Sequence, residues 1–211
     1  MTTEDIRARA QSYFADSMSP AHDWHHVQRV EALAEQLLDH YPDADDRTVR
    51  LAVLFHDIGR AREDRGEIDD HAAWGAREAR EILADHGVPA DRTDAVCHAV
   101  AAHRYSTGPE PDTLEAKLLS DADNLDALGA VGIARCFTYG GELGEVIHDP
   151  AVGPANDDTA DGATQHNHFY KKLLDLPGRM YTDAGREVAD DRATFVEAFL
   201  DRFEREVAGE L

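Results

Sequence analysis

The residues best suited to chemistry are the adjacent pair His56-Asp57, which closes the apolar run Leu51-Ala52-Val53-Leu54-Phe55 and precedes Ile58-Gly59. Such a run belongs to a buried helix. Burying an imidazole beside a carboxylate costs on the order of 2–7 kcal/mol for each polar group left unpaired. A His–Asp hydrogen bond alone can offset part of that cost, and so can a divalent cation. His26 upstream and Asp123 downstream supply the remaining side chains of a four-ligand set. Imidazole nitrogen with carboxylate oxygen suits Mn²⁺, Fe²⁺, Co²⁺, Ni²⁺ or Zn²⁺, whereas all-oxygen cages suit Ca²⁺ and Mg²⁺.

Helical periodicity brings these residues to buried faces. Stepping back four residues from Val30, in the stripe Val30, Leu33, Leu37, lands on His26, so His26 faces the core. His25 shares a row with Arg29 and Ala32 and lies nearer the edge of that face. Val49, Ala52 and Val53 put His56 on the buried side of its own helix, and the stripe Leu114, Leu118, Ala122 carries Asp121 and Asp123 on its flank. The same periodicity predicts helices near 3–17, 23–40, 45–59, 71–86, 90–104, 112–125, 128–138, 164–175 and 183–208, with no sustained strand alternation. Turn signals at Ser19-Pro20, Gly87-Val88-Pro89 and Gly108-Pro109-Glu110-Pro111 separate several of them. The expected architecture is all-α, a single-domain helical bundle over 1–211. Its one long acidic loop, 140–163, has turn chemistry and few apolar residues, and reads as a lid or an insertion.

The chain has 211 residues and a formal charge of −22, with 21 Lys and Arg against 43 Asp and Glu. Only Lys117, Lys171 and Lys172 are lysines. A dispersed acidic excess with few lysines suggests a halophilic host, where salt screens the self-repulsion. No basic stripe is present to follow a nucleic-acid backbone, so no long nucleic acid is expected as a partner. No stretch approaches the roughly 20 apolar residues of a membrane span, and the start Met1-Thr2-Thr3-Glu4 lacks the pattern of a secretory signal. A cytoplasmic location is therefore expected. Cys97 and Cys136 each sit within an apolar helical pattern and read as buried structural thiols.

Set in order, His26, His56-Asp57 and Asp123 resemble the HD superfamily of metal-dependent phosphohydrolases, with a histidine, a His-Asp pair and a distal aspartate in an all-α core. The segments His22–Val30, Asp121–Arg135 and His168–Leu174 are similar to one subfamily of small stand-alone HD proteins linked to hydrolysis of nucleoside triphosphates to monophosphate and pyrophosphate. The likeness runs from about residue 10 to 208. It implies His26, His56, Asp57 and Asp123 as ligands of a divalent ion (Mn, Co, Ni, Fe or Mg), with Asp121 able to orient a ligand histidine. HD enzymes with two metals add histidines between the His-Asp pair and the distal aspartate. Here His71, His98 and His103 occupy that interval at a spacing unlike the binuclear pattern, which favours one metal with His71 and His103 nearer phosphate.

The chemistry implied is hydrolysis of a phosphate anhydride or ester in a small nucleotide. Candidates for moving the proton are Asp57, Asp23, Asp121 and the Glu63-Asp64 pair. Arg29, Lys117 and Lys172 are candidates for holding phosphates, with His168 beside Lys172 in the cluster His168-Phe169-Tyr170-Lys171-Lys172. Two alternatives remain open on the residues alone. One is a phosphomonoesterase or phosphodiesterase acting on a nucleoside monophosphate or cyclic nucleotide; the other is a non-catalytic nucleotide-binding HD protein.

Overall fold

The computed structural model describes residues 3–15, 19–104 and 108–211. It is all-α: α1 (Thr3–Gln11), α2 (Trp24–Leu38), α3 (Asp46–Phe55), α4 (Arg60–Asp64), α5 (His71–Asp85), α6 (Ala90–Ala102), α7 (Leu114–Asp126), α8 (Gly129–Leu143), α9 (Gln165–Lys171) and α10 (Asp183–Val207). Among the described residues there is no strand. None of their helices is long and apolar enough to cross a membrane. The chain forms two compact units, Met1–Asp123 and Asn124–Leu211, and the division falls within α7.

In the first unit α5 packs on α6, α3 on α6, and α2 on α3. Their shared core includes Val27, Val30, Val49, Phe55, Ala79, Val96, Val100, Leu118 and Leu119. Part of the acidic excess serves the helix starts. Asp23, Asp45 and Asp70 cap α2, α3 and α5, each accepting a backbone N–H from the first turn, where amides lack intrahelical partners and the dipole favours a negative charge.

The helix expected over 45–59 ends earlier, at Phe55. His56 to Gly59 form turns, and α4 begins at Arg60. Gly59 shows why the chain turns here. A Cβ at this position would come within 2.8 Å of the His71 carbonyl oxygen and 2.9 Å of the Trp74 ring, so only glycine lets the turn lie against the start of α5. The helix expected over 3–17 is α1 followed by a 3₁₀ turn, Ser12–Phe14; residues 16 and 17 lie outside the described ones.

In the second unit α8 packs on α10 around the rings of Phe137, Phe169, Phe199 and Phe203. α8 continues to Leu143, so the loop expected from 140 starts later. Gly140 lies within the helix, and Gln165 fills the space a Cβ would occupy there. The helix ends at Gly144 in the left-handed conformation, φ 70°, which glycine adopts without steric cost. The loop that follows is tied to α9 and its approach. Gln165 and His166 N–H groups donate to Val146 and Ile147 carbonyls at 2.9 Å each, and the Lys171 ammonium donates to the Asp157 carbonyl at 2.6 Å.

Candidate metal centre

Four histidines of the first unit turn their Nε2 atoms toward Asp57. His26 lies in the first turn of α2, where the Asp23 cap accepts its N–H at 2.9 Å. His56 and Asp57 follow the last residue of α3, His71 opens α5, and His103 follows α6. All four imidazoles and Asp57 are buried. Asp123, on α7, keeps 24% of its side chain exposed.

The donor atoms fall into two groups, one for each oxygen of Asp57. On the Oδ2 side, His26 Nε2 lies 3.2 Å from His56 Nε2 and 3.3 Å from Asp123 Oδ1. Asp57 Oδ2 is 3.6 Å from His26 and 3.8 Å from His56. On the Oδ1 side, His71 Nε2 lies 3.2 Å from Asp57 and 3.4 Å from His103 Nε2, and His103 is 3.8 Å from Asp57. Ligands about 2.1 Å from a shared cation, at angles between octahedral and somewhat beyond tetrahedral, stand roughly 3.0–3.8 Å apart. The separations given fall in that range, and His56 to Asp123 Oδ1, at 3.9 Å, lies just beyond it.

Hydrogen bonds on the far side of the rings decide which nitrogens carry protons. His56 Nδ1 faces the Val53 carbonyl at 2.8 Å, and His103 Nδ1 faces the Val100 carbonyl at 2.7 Å. A carbonyl only accepts, so both Nδ1 atoms are protonated, and in the neutral ring each Nε2 lone pair points inward. His71 Nδ1 faces the Glu63 carboxylate at 2.6 Å, and Arg104 pairs with the same carboxylate at 2.8 Å.

Electrostatics follow the same geometry. Burial pushes the His56 imidazole down to about 4, keeping it neutral, with the His26 and His103 rings adding to the effect against Asp57 and Asp123. Burial alone would raise Asp57, but His56, His103 and His71 hold its carboxyl well below the usual range. Asp123 is likewise held low, by His26, His56 and His103 against burial. His71 is raised: Asp57 and Glu63 outweigh its burial. The result is an interior rich in ionised carboxylates and inward lone pairs, which a cation would satisfy.

A comparison with known proteins names this arrangement. The HD domain family matches residues 23–128, the span from the α2 cap through α7. This chain belongs to the HD domain family. YpgQ of Bacillus subtilis (strain 168) is 34% identical over 98% of this chain and 94% of its own length. A crystal structure of an HD-superfamily hydrolase from Bacillus thuringiensis superposes with a TM-score of 0.75 at 31% identity, over 97% of this chain and 96% of that one. A structure of Bacillus subtilis YpgQ in complex with ADP gives a TM-score of 0.75 at 30% identity over 99% of each chain. The fold is thus that of the HD-superfamily hydrolases, and the His/Asp cluster is one that can hold a divalent metal.

The other candidate residues fall in different places. Asp121 is fully buried on α7, while Arg29 on α2 and Lys117 on α7 are half-buried. His25 is exposed beside Gln28, and His98 pairs with Asp112 at 2.6 Å, so neither joins the cluster. His168 and Lys172 belong to the second unit, where His168 Nδ1 donates to the Asp161 carbonyl at 2.6 Å. The hold of Glu63 on His71 was not legible in the sequence, because the two are eight positions apart with no shared helical register.

Proposed function

We propose that this protein is a divalent-metal-dependent phosphohydrolase acting on small nucleotides, releasing pyrophosphate from nucleoside triphosphates. The observation that carries the proposal is the buried convergence of His26, His56, Asp57 and Asp123, with Asp123 partly open to solvent. The ADP complex of YpgQ supports a nucleotide carrying a phosphate anhydride as ligand. When bound, a divalent ion supplies Lewis acidity, acidifying water and offsetting charge on the phosphoryl group.

The chain's own residues do the rest. His56, kept neutral by burial, offers its Nε2 lone pair without competition from a proton. Asp57 and Asp123 stay ionised and bring the negative charge that retains a dication. The depressed Asp57 carboxyl is a poor proton acceptor near neutrality, so it acts as a ligand. Asp23 fixes the first turn of α2, and with it His26. Arg29 and Lys117 are proposed to contact phosphate as fork and point charge. His168 and Lys172 remain phosphate-contacting candidates on the family pattern, and Lys172→Ala should raise KM.

The test is product analysis with purified protein, Mn²⁺ or Co²⁺ and a nucleoside triphosphate. Monophosphate plus pyrophosphate supports the proposal. Orthophosphate released from a monophosphate, or a linearised cyclic nucleotide, replaces it with phosphomonoesterase or phosphodiesterase action. Tight binding without turnover under any metal makes the protein a nucleotide binder.

A further inference from the structure

The turn after α3 and the first turn of α5 meet twice. On the inner side, Asp57 Oδ1 lies 3.2 Å from His71 Nε2, with Asp57 Oδ2 on the side of His26 and His56. On the outer side, two residues after Asp57 and three after His71, Gly59 lies against the Trp74 ring. A Cβ there would come within 2.9 Å of the ring and 2.8 Å of the His71 carbonyl oxygen. Both contacts join the same two segments, so the place of the indole fixes how far Asp57 stands from α5. Trp74 is held from two further directions. Arg62, whose N–H donates to the Gly59 carbonyl at 3.0 Å, has its guanidinium 5.0 Å from the centre of the ring. The ring of Tyr13, in the 3₁₀ turn after α1, meets it edge-on at 6.0 Å. The Tyr13 hydroxyl donates to the carboxylate of Glu78, one turn further along α5. None of these side chains belongs to the His/Asp cluster.

We propose that Trp74, braced by Tyr13, is a positioning residue for the metal centre: its ring sets the separation between the turn carrying His56 and Asp57 and the helix start carrying His71, and so the aim of Asp57 Oδ2. The indole is a flat, rigid wall against a residue with no side chain to absorb a displacement. Packed interiors have few voids, so a shift of one wall is passed on to the next. A smaller side chain at 74 leaves a gap into which the turn relaxes. Metal ligation holds its distances to about 0.2 Å, so a small relaxation at Gly59 registers as lost affinity two residues away. The brace also brings the amino-terminal segment into the construction of the site. Ile6 and Ala10 bury one face of α1, and Tyr13 carries that anchorage to Trp74. The inference rests on the metal assignment of the preceding section and not on its substrate.

The readouts are the Mn²⁺ affinity of the full chain by titration calorimetry and its melting temperature in chelator. Trp74→Leu should weaken Mn²⁺ binding by about 10-fold, the lower end of what a residue supporting a metal site contributes. At saturating Mn²⁺ it should lower kcat, with KM for the nucleotide close to the parent value. Trp74→Phe keeps a flat ring on Gly59 and should restore most of the affinity. Tyr13→Leu keeps the indole and removes its brace; at a half-buried position, it guards against a misfolded Trp74 variant and should weaken Mn²⁺ binding in the same direction by less. Ile82→Ala, on the buried face of α5 two turns beyond Trp74, is the control: it should lower the melting temperature with Mn²⁺ affinity unchanged. Parent Mn²⁺ affinity in both Trp74→Leu and Tyr13→Leu, beside a melting loss like that of Ile82→Ala, overturns the proposal and leaves the ring as packing alone. Weakened Mn²⁺ binding in these variants, with no nucleotide cleavage by the parent, would keep this inference and remove the phosphohydrolase reading. Cleavage by the parent, with Mn²⁺ affinity unaltered by either substitution, would do the reverse.

Discussion

Asp57 in the first unit and Asp157 in the second are equally buried, each 4% exposed, yet their surroundings are opposite in kind. Asp157 Oδ1 accepts from the Thr159 N–H at 2.9 Å and the Thr159 hydroxyl at 2.6 Å. Its Oδ2 accepts from the Ala163 N–H at 2.7 Å and the Asn167 amide at 2.8 Å. The Asn167 amide also donates to the Val152 carbonyl at 2.9 Å. Every lone-pair direction of that carboxylate meets a proton. Around Asp57 the neighbours are imidazole nitrogens at 3.2 to 3.8 Å, and at least two of those rings keep their protons on the distant side. Burial alone thus does not distinguish the two settings. The kind of neighbour differs: the Asp157 carboxylate is surrounded by amide and hydroxyl donors, whereas Asp57 sits in a His/Asp cluster that can hold a divalent metal.

The sharpest break of this contrast is His56→Ala or Asp57→Ala. Either should drop nucleotide hydrolysis to the uncatalysed background, measured as pyrophosphate release with Mn²⁺ present, and remove metal-induced stabilisation as well. Full turnover in either variant would show that the centre is not where the chemistry occurs. A cation that binds only the folded chain raises stability by about 2.7 kcal/mol at a concentration 100 times its Kd. The unmodified protein should therefore melt measurably higher with Mn²⁺ than with a chelator, and His56→Ala should show no such difference.

Asp157→Asn should do the opposite. It turns one acceptor into an amide donor facing Thr159, Ala163 or Asn167, so the melting temperature should fall with and without metal while the Mn²⁺-dependent increment survives. The hydrogen bonds from Thr159, Ala163 and Asn167 hold the Asp157 carboxyl below its ordinary value. A depressed carboxyl stabilises the fold fully above the ordinary carboxylate range, and that contribution disappears as pH falls through the depressed value. Melting curves recorded down the acid limb should accordingly be less pH-dependent for Asp157→Asn. Equal acid sensitivity in the two proteins would mean that the network contributes nothing to folding.

These two regions also differ in how far the sequence revealed them. His26 and His56 were legible because each lies on an apolar helical stripe, where a four-residue step is a spatial neighbour. The helix containing Asp123 was legible for the same reason. The approach of His71 and His103 to Asp57 was not, because those rings come from the start of α5 and the end of α6, and the pattern through Gly59 reads as uninterrupted helix. The Gly59 contact that makes the turn comes from α5, which local periodicity does not reveal. The Asp157 network was hidden differently. Asn156-Asp157-Asp158-Thr159 reads as a solvated acidic run, and only the ten-residue reach to Asn167 distinguishes the one carboxylate that is structural.

The smallest expected effect tests whether Asp23 belongs to the chemistry or to the scaffold. Its carboxylate accepts the His26 N–H at 2.9 Å, and at this position asparagine caps a helix about as well as aspartate. Asp23→Asn should therefore leave both stability and turnover close to the parent values. Asp23→Ala should cost about 1 kcal/mol through loss of the cap and weaken Mn²⁺ binding by loosening the turn that aims His26. The asparagine variant separates the roles, because its amide preserves the hydrogen bond but takes no proton near neutrality. Loss of turnover in Asp23→Asn at unchanged melting temperature and unchanged Mn²⁺ affinity would make Asp23 the proton acceptor, and the cap would then be the lesser part of its work.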